Sequence, residues 1–202
     1  MIRRLCVIGV GLIGGSLALA LRRAGHCGQI VGAGRHAATL ERALALGVID
    51  GYDLDLAQAV AGADMVVLAV PMGAMAEVMA AIRDHLASDA ILTDVGSAKG
   101  AVVQTARAVF GVLPPTLVPG HPVAGTENSG VEAAFPELFQ GRQVILTPTE
   151  ASSPAAIAAV RAMWEAAGAV VEVMDAHTHD QMLAATSHLP HVVAFALMHT
   201  LA

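Results

Sequence analysis

The chain has few aromatic residues and few charges. Aromatic side chains make up 3% of its 202 residues and charged side chains 14%, whereas hydrophobic residues make up 55%. A core must therefore be built from aliphatic side chains, and this composition is typical of a globular protein rather than a disordered one. The length suits one domain of ordinary size followed by the start of another.

Cysteines and basic residues are also scarce. Cys6 lies in an apolar run and Cys27 in a glycine-flanked loop, so we expect no disulfide framework and a cytoplasmic location. The 11 lysines and arginines are scattered, and the formal net charge is −6. Nucleic-acid-binding proteins usually carry a clustered basic face. We therefore expect no nucleic acid among the partners of this chain.

An uncharged stretch near the start could be mistaken for a secretory signal sequence. Residues 5–21 carry no charge and follow two arginines, as the apolar part of a signal sequence would. The stretch contains four glycines, however, and is shorter than the roughly 20 apolar residues of a membrane-spanning helix. We favour a strand, a turn and a helix over a signal sequence, and expect no membrane association.

The turn in this stretch is glycine-rich and has the spacing G-x-G-x-x-G. A short apolar strand precedes it and a segment with apolar residues at helical spacing follows it, which together favour a dinucleotide-binding turn. The first glycine would permit the tight turn, the second would let a pyrophosphate approach the backbone, and the third would let helix and strand pack closely. The alternative is a glycine-rich packing turn without a ligand. The predicted cofactor-binding residues here are Gly9, Gly11, Leu12, Ile13 and Gly14.

The second strand ends in a sequence that favours NADP over NAD. About 20 residues past the turn, NAD-binding members of this architecture place an Asp or Glu on the ribose 2′-hydroxyl. Here that position is Gly34, and Arg35 and His36 follow it. Arg35 offers a fork-shaped cation for a 2′-phosphate, and Thr39 could add a hydroxyl. The alternative is that Arg35 is a solvated surface residue and that the site does not select between the two cofactors.

The remaining pattern alternates strands with helices. This alternation predicts an α/β fold with a Rossmann-like, doubly wound and mostly parallel sheet, whose ligands bind at the carboxyl ends of the strands. Val70 and Ser97 lie at two such ends and complete the predicted cofactor wall. We expect the strand ends to face one crevice. Further strands are predicted over 63–71, 90–97, 141–149 and 169–175, and helices over 74–86 and 153–168.

One histidine lies in the constrained loop GHPVAGTENSG at residues 120–130. Pro122 biases the preceding His121 toward an extended backbone, so the imidazole should point in a defined direction. A lone histidine is more often structural than catalytic. Beside a dinucleotide site, however, a general base is the favoured interpretation.

Several motifs resemble the prephenate/arogenate (cyclohexadienyl) dehydrogenase family. These are VIGVGLIGGSLALAL, ALGVID, TDVGSAKG, GHPVAGTENSGVEAA, LTPT and SHLPHVVAFAL, which together run through nearly the whole chain. The resemblance implies an oxidoreductase of tyrosine biosynthesis that oxidatively decarboxylates arogenate or prephenate, with hydride transfer to NADP or NAD. It also implies a dinucleotide-binding domain over 1–175, followed at 176–202 by the first helix of an all-helical domain that dimerises and completes the active site.

The resemblance also assigns roles to individual residues. It implies that His121 is the catalytic histidine and contacts the ring hydroxyl of the substrate, while Ser97 orients it near the nicotinamide. It places His179 and Asp180 among polar residues near the mouth of the pocket. The residues that it implies for substrate binding are Thr126, Glu127, His188 and His191.

The end of the chain raises further expectations. The family's substrate-carboxylate arginine belongs to the helical domain, and no residue after SHLPH can supply it here, so we expect a truncated chain with weak or absent activity. The apolar segment 176–202 should pack on the sheet domain or on a second subunit, which predicts a homodimer.

Three alternatives stay open at this point. The first is a metal site, formed by His177, His179, His188 and His191, but the segment lacks a helical Glu-x-x-His or cysteine partners, so we expect no metal. The second is another β-hydroxyacid-type dehydrogenase, although such enzymes usually carry a lysine on the interdomain helix and none is present here. The third is a cofactor-binding module without turnover.

Overall fold

The first sheet of the chain is parallel and has five strands. The computed structural model describes residues 1–201, apart from the side chains of His188, His191 and Leu201. The strand order is β3-β2-β1-β4-β5, which confirms the predicted Rossmann-like class, with the order reversing between β1 and β4. The strands are β1 (Ile2–Ile8), β2 (Cys27–Ala33), β3 (Gly51–Asp53), β4 (Met65–Leu68) and β5 (Ile91–Asp94).

Both faces of this sheet are buried, because successive side chains of a strand point to opposite faces. In β1, Leu5 and Val7 belong to one hydrophobic cluster, whereas Cys6 and Ile8 belong to the other. Helices cover both clusters, as expected for parallel strands joined by crossovers. The helices are α1 (Leu12–Arg23), α2 (Ala37–Ala45), α3 (Leu56–Val60), α4 (Met75–Ile82) and α5 (Lys99–Phe110).

A second sheet follows, which the sequence pattern did not separate from the first. Its strands are β6 (Gly120–Pro122), β7 (Gln143–Leu146) and β8 (Val170–Val173), and α6 (Pro154–Ala166) connects the last two. β6 is antiparallel to β7, and β7 is parallel to β8. The predicted strands over 141–149 and 169–175 therefore exist as shorter elements. The short elements β3 and α3 were not predicted.

The C-terminal segment consists of two helices rather than one. α7 (Ala176–Leu183) is followed by a π-helical turn over 184–188 and by α8 (Leu189–Leu201). Pro190 is the second residue after this turn. It has no N–H to donate to the carbonyl of residue 186, as a regular α-helix would require, and this accounts for the widened backbone before it. α7 packs against α5 and buries Leu183. The apolar side chains of α8 are exposed in the single chain: Leu189, Val192, Val193, Phe195, Leu197 and Met198.

Both cysteines are unpaired, as expected; Cys6 is buried, which raises the pKa of its thiol to about 12.

Within the described part of the chain, no helix has the length and apolar character needed to cross a bilayer.

Candidate active site

The glycine turn forms one wall of a cavity at the carboxyl end of β1. The cavity has a volume of about 390 Å³. Gly9 has φ +97°, a conformation that a side chain rarely adopts, and a Cβ at this position would overlap the carbonyl oxygen of Ala69. The predicted cofactor residues that line the cavity are Gly9, Gly11, Arg35, His36, Thr39 and Val70.

The other glycines of the turn have different surroundings. A Cβ at Gly14 would overlap the carbonyl oxygen of Gly9 and lie 2.9 Å from Cγ1 of Val7, whereas a Cβ at Gly11 would meet nothing within 4 Å. Gly14 therefore permits close packing of α1 on β1, and Gly11 leaves open space above the backbone. Leu12 and Ile13 begin α1 and pack against the hydrophobic core, and neither they nor Gly14 are among the described residues lining the cavity.

These surroundings predict opposite results for two alanine variants. Gly14→Ala should lower the free energy of unfolding by about 1–3 kcal/mol, since the added methyl group has no room. Gly11→Ala should leave it within about 1 kcal/mol of the wild-type value, because the backbone is compatible with a side chain. It should nevertheless weaken dinucleotide binding at least about tenfold, because the methyl group occupies the space for the pyrophosphate. Urea denaturation and titration calorimetry measure the two quantities. Unchanged cofactor affinity in Gly11→Ala would contradict the assignment of this turn.

His121 lies just beyond the carboxyl end of β5. Residues 116–118 run parallel to that strand, and the backbone N–H of Val118 donates to the carbonyl of Leu92 at 2.9 Å. The chain then enters β6, where His121 pairs with Ile145 of β7. The pairing on both sides fixes the backbone of the loop, so the imidazole, which is half-buried, is held at the sheet edge where ligands bind in this architecture.

His121 and Ser97 line the same cavity. This second cavity has a volume of about 720 Å³ and is bordered on one side by α7 and α8. It includes one exposed cation, Arg142, which precedes β7. The predicted single crevice is thus divided into two cavities at the carboxyl edge of the first sheet. The other described residues that line it are Pro122, Val123, Ala124, Gly125, Leu183, Ser187, Val192 and Phe195.

The imidazole of His121 contacts a second imidazole. Nδ1 of His121 lies 2.9 Å from Nε2 of His179, and the two ring planes meet at 67°. Nδ1 of His179 lies 2.8 Å from Oδ1 of Asp180. His179 is completely buried although it belongs to the polar start of α7.

A buried ion pair lies beneath the His121 loop. Nζ of Lys99 donates to Oδ2 of Asp94 at 2.5 Å and to the carbonyl of Gly120 at 2.6 Å, and both side chains of the pair are fully buried. Asp94 also accepts from the amides of Gly96 and Gly120, at 2.7 and 3.2 Å. Burial lowers the pKa of the Lys99 ammonium, and the adjacent Asp94 carboxylate opposes that shift. The pair joins the end of β5 to the residue before His121.

Comparison with known proteins decides the family. Residues 17–173 match the model of the prephenate dehydrogenase nucleotide-binding domain, and residues 175–202 match that of the prephenate dehydrogenase dimerization domain. The chain belongs to the prephenate dehydrogenase family. This membership disfavours the alternative of another β-hydroxyacid-type dehydrogenase.

Individual relatives agree with this membership. The chain is 41% identical to a cyclohexadienyl dehydrogenase of Zymomonas mobilis, in an alignment that covers 97% of this chain and 66% of the relative. It is 35% identical to a prephenate dehydrogenase of Bacillus subtilis, in an alignment that covers 95% of this chain and 52% of the relative. It therefore spans between about half and two thirds of these curated relatives.

Solved structures of the family superpose closely. Prephenate dehydrogenase from Aquifex aeolicus, in a complex with hydroxyphenyl propionate and NAD⁺, has a TM-score of 0.92 at 37% identity, with coverage of 99% of this chain and 69% of that one. Arogenate dehydrogenase from Synechocystis has a TM-score of 0.87 at 34% identity, with coverage of 98% and 68%.

Four predicted substrate-binding residues are not found on either cavity: two line neither cavity, and the side chains of the other two are not among those that the structure describes. Thr126 and Glu127 are exposed in the loop after β6 and are not among the described residues lining the His121 cavity. The predictions for His188 and His191 fall on side chains outside the described residues. The roles of all four in substrate binding stay predictions. Among the side chains that are described, no three His, Cys, Asp or Glu residues group as metal ligands would.

Sequence reasoning missed the contacts that hold His121 in place. Asp94 and Lys99 are five residues apart around the end of a buried strand. Only 14% of the residues in the chain are charged, so two opposite charges at this position could have indicated a buried ion pair. The approach of His179 to His121 had no local signal, because 58 residues separate them.

Proposed function

We propose that this protein oxidatively decarboxylates prephenate, arogenate or both, with an NAD(P) cofactor. The observation that carries the proposal is the position of His121 and Ser97 on a cavity at the strand ends, beside a glycine turn with open space over Gly11. A family member of known structure holds NAD⁺ and a hydroxyphenyl compound together, which supports the same pair of ligands here.

The proposed chemistry requires little covalent participation from the protein. The substrate is a cyclohexadienol with a 4-hydroxyl and a ring carboxylate. The nicotinamide, when bound, would accept the hydride that leaves C4 of the substrate. His121 takes the hydroxyl proton as the C4–H bond breaks. The C–CO₂⁻ bond then breaks, its electron pair enters the ring, and CO₂ leaves. His121 returns its proton to the phenolate oxygen, so the protons balance.

Other residues bind and orient the substrate. Ser97 lies on the wall of the same cavity, where we propose that its hydroxyl orients the reacting groups near the nicotinamide. Arg142 offers a cation for a substrate carboxylate from the same wall. Aromatisation of the ring supplies most of the driving force, so alignment is the main contribution of the protein.

We further propose that NADP is preferred over NAD. Gly34 and Arg35 border the first cavity together with Thr39, and a Cβ at Gly34 would meet nothing within 4 Å. The guanidinium of Arg35 is exposed and suited to a 2′-phosphate, and no carboxylate stands at position 34 to repel it.

Two substitutions test the preference. Arg35→Ala should weaken NADP binding by about 10- to 100-fold, the loss expected for a charge-assisted hydrogen bond, and should leave NAD binding nearly unchanged. Gly34→Asp should also weaken NADP binding, and it should improve NAD binding, since the open space accommodates a carboxylate that can bind the ribose 2′-hydroxyl. Titration calorimetry with each cofactor measures both effects, and Arg107→Ala, an exposed arginine on α5, is the matched control. Equal losses for NADP and NAD would contradict the preference.

We propose that residues 1–175 form the dinucleotide-binding domain and that 176–202 begin a helical domain that dimerises. The match of 175–202 to a dimerization domain and the exposed apolar side chains of α8 support this assignment. A homodimer would cover those side chains. Two unpaired cysteines favour a cytoplasmic location.

A paired assay tests the proposed function. Reduction of NADP and of NAD is followed at 340 nm with prephenate and arogenate separately, and calorimetry measures cofactor binding to the same preparation. We expect weak but measurable turnover with at least one substrate, and faster turnover with NADP than with NAD. Cofactor binding without turnover on either substrate would instead select the alternative of a cofactor-binding module.

A further inference from the structure

Three side chains form a continuous hydrogen-bonded row: His121, His179 and Asp180. Nδ1 of His121 is 2.9 Å from Nε2 of His179, and Nδ1 of His179 is 2.8 Å from Oδ1 of Asp180. The middle ring is completely buried, so both of its nitrogens face protein groups rather than bulk water. The row joins β6 to α7 and thus connects the sheet domain to the C-terminal segment.

The far end of the row is anchored on a third element. The backbone amides of Lys99 and Gly100, at the start of α5, each donate to one carboxylate oxygen of Asp180 at 2.8 Å. A Cβ at Gly100 would lie 2.8 Å from Oδ2, so glycine at this position allows the carboxylate to approach. The positive end of the helix dipole also favours the charged form of Asp180.

The protonation of Asp180 follows from these contacts. Burial alone would raise its pKa, but hydrogen bonds from the amide of Gly100, from the His179 ring and from the amide of Lys99 outweigh burial, so the pKa lies below its ordinary value. The carboxylate is therefore ionised at neutral pH and can only accept hydrogen bonds.

An ionised Asp180 together with a neutral His179 ring determines the direction of both bonds in the row. Nδ1 of His179 must donate to Asp180, and a neutral imidazole has one N–H, so Nε2 of His179 accepts. Nδ1 of His121 is then the donor, and the lone pair of that ring is on Nε2. A general base needs this lone pair to take the proton of a substrate hydroxyl.

We propose that His179 and Asp180 are positioning residues that hold His121 in the tautomer with Nδ1 protonated and Nε2 basic. The inference rests on the proposed function for its catalytic consequence, but the tautomer itself is a property of the protein without substrate. Lys99 and Asp94 also lie near this row and form an ion pair beneath the loop, and Arg142 lines the same cavity as His121.

The tautomer is measured by long-range ¹⁵N–¹H correlation spectra of the ¹⁵N-histidine-labelled chain near pH 8, with His121→Asn identifying the signals of His121. We expect Nδ1–H in the wild type. In His179→Leu, Nδ1 of His121 loses its acceptor, and we expect a larger Nε2–H population on His121 than in the wild type. A wild-type spectrum with Nε2–H on His121 would overturn the proposal whether or not the protein turns over substrate.

Kinetics test the catalytic consequence in the same variants. His179→Leu should lower kcat by roughly 10²- to 10⁴-fold, the usual contribution of a general base, with the Kd for NADP within about twofold of wild type. Asp180→Asn should lose less, because its amide oxygen can still accept from Nδ1 of His179. His179→Gln keeps an acceptor oxygen near the position of Nε2 and should recover at least about tenfold of the His179→Leu loss. His177→Gln, an exposed histidine on the same helix, should match the wild type.

The outcomes separate this inference from the proposed function. Wild-type kcat in His179→Leu, or equal kcat in the Leu and Gln variants at equal thermal stability, would overturn the positioning role. Absence of turnover in the wild type, together with Nδ1–H on His121, would count against the proposed function and leave the tautomer assignment supported.

Discussion

Replacing His121 by asparagine is expected to lower kcat by roughly 10²- to 10⁴-fold while the Kd for NADP changes less than about twofold. Asparagine keeps an N–H near the position of Nδ1, so the hydrogen bond to His179 and the local packing can persist. It has no basic nitrogen to replace Nε2, however, and the substrate hydroxyl would lose its proton acceptor. Steady-state kinetics and titration calorimetry on one preparation measure both quantities.

The contrast between the two quantities is the informative result. The cavity with the glycine turn does not include His121 among its described lining residues, so a purely catalytic loss should leave cofactor binding intact. His85→Asn, a histidine in the short turn after α4, is the control for a histidine away from both cavities. Parallel losses of kcat, cofactor affinity and thermal stability would mean that His121 is structural.

Replacing Lys99 by methionine is expected to lower the free energy of unfolding by about 3–5 kcal/mol. The methionine fits the volume of the lysine stem, but it leaves the Asp94 carboxylate buried without its cation and the Gly120 carbonyl without a donor. The loss is large because total stabilities of such domains are about 5–15 kcal/mol. Urea denaturation followed by circular dichroism measures it.

A double variant distinguishes loss of the ion pair from simple loss of packing. In Lys99→Met with Asp94→Asn, the side chain at position 94 is uncharged and its oxygen still accepts from a backbone amide. We expect the double variant to be more stable than Lys99→Met alone, because no unpaired charge remains buried. Arg83→Met breaks an exposed pair with Asp84 and should change stability little. A double variant as unstable as the sum of the single variants would contradict this account.

The sequence predicted those parts of the molecule that depend on local patterns. β1, the glycine turn and α1 follow from an apolar run, three spaced glycines and a helical period, and the predicted order of strand, turn and helix is confirmed. The strand predicted over 63–71 is observed at Met65–Leu68. The apolar run is longer than the segment that forms sheet hydrogen bonds, so the hydrophobic pattern overestimates the length of the strand. β3 has three residues, which is too short to give a periodic signal.

The features that the sequence did not predict are those set by tertiary contacts. Nothing local distinguishes β6 from a loop, because three residues with a proline acquire strand geometry only by pairing with β7. The division into two sheets likewise depends on the antiparallel register of that pair. His179 lies far from His121 in the chain, and its burial depends on the packing of α7 against α5.

A crystal structure of the protein with NADP⁺ and a hydroxyphenyl substrate analogue tests the central claim most directly. The claim is that the glycine turn and His121 serve one reaction from the two cavities at the sheet edge. It predicts the pyrophosphate over Gly11, the 2′-phosphate at Arg35 and the nicotinamide C4 within roughly 3–3.5 Å of the analogue's ring, with Nε2 of His121 in hydrogen-bonding contact with its hydroxyl. A nicotinamide ring directed away from the His121 cavity would contradict the account.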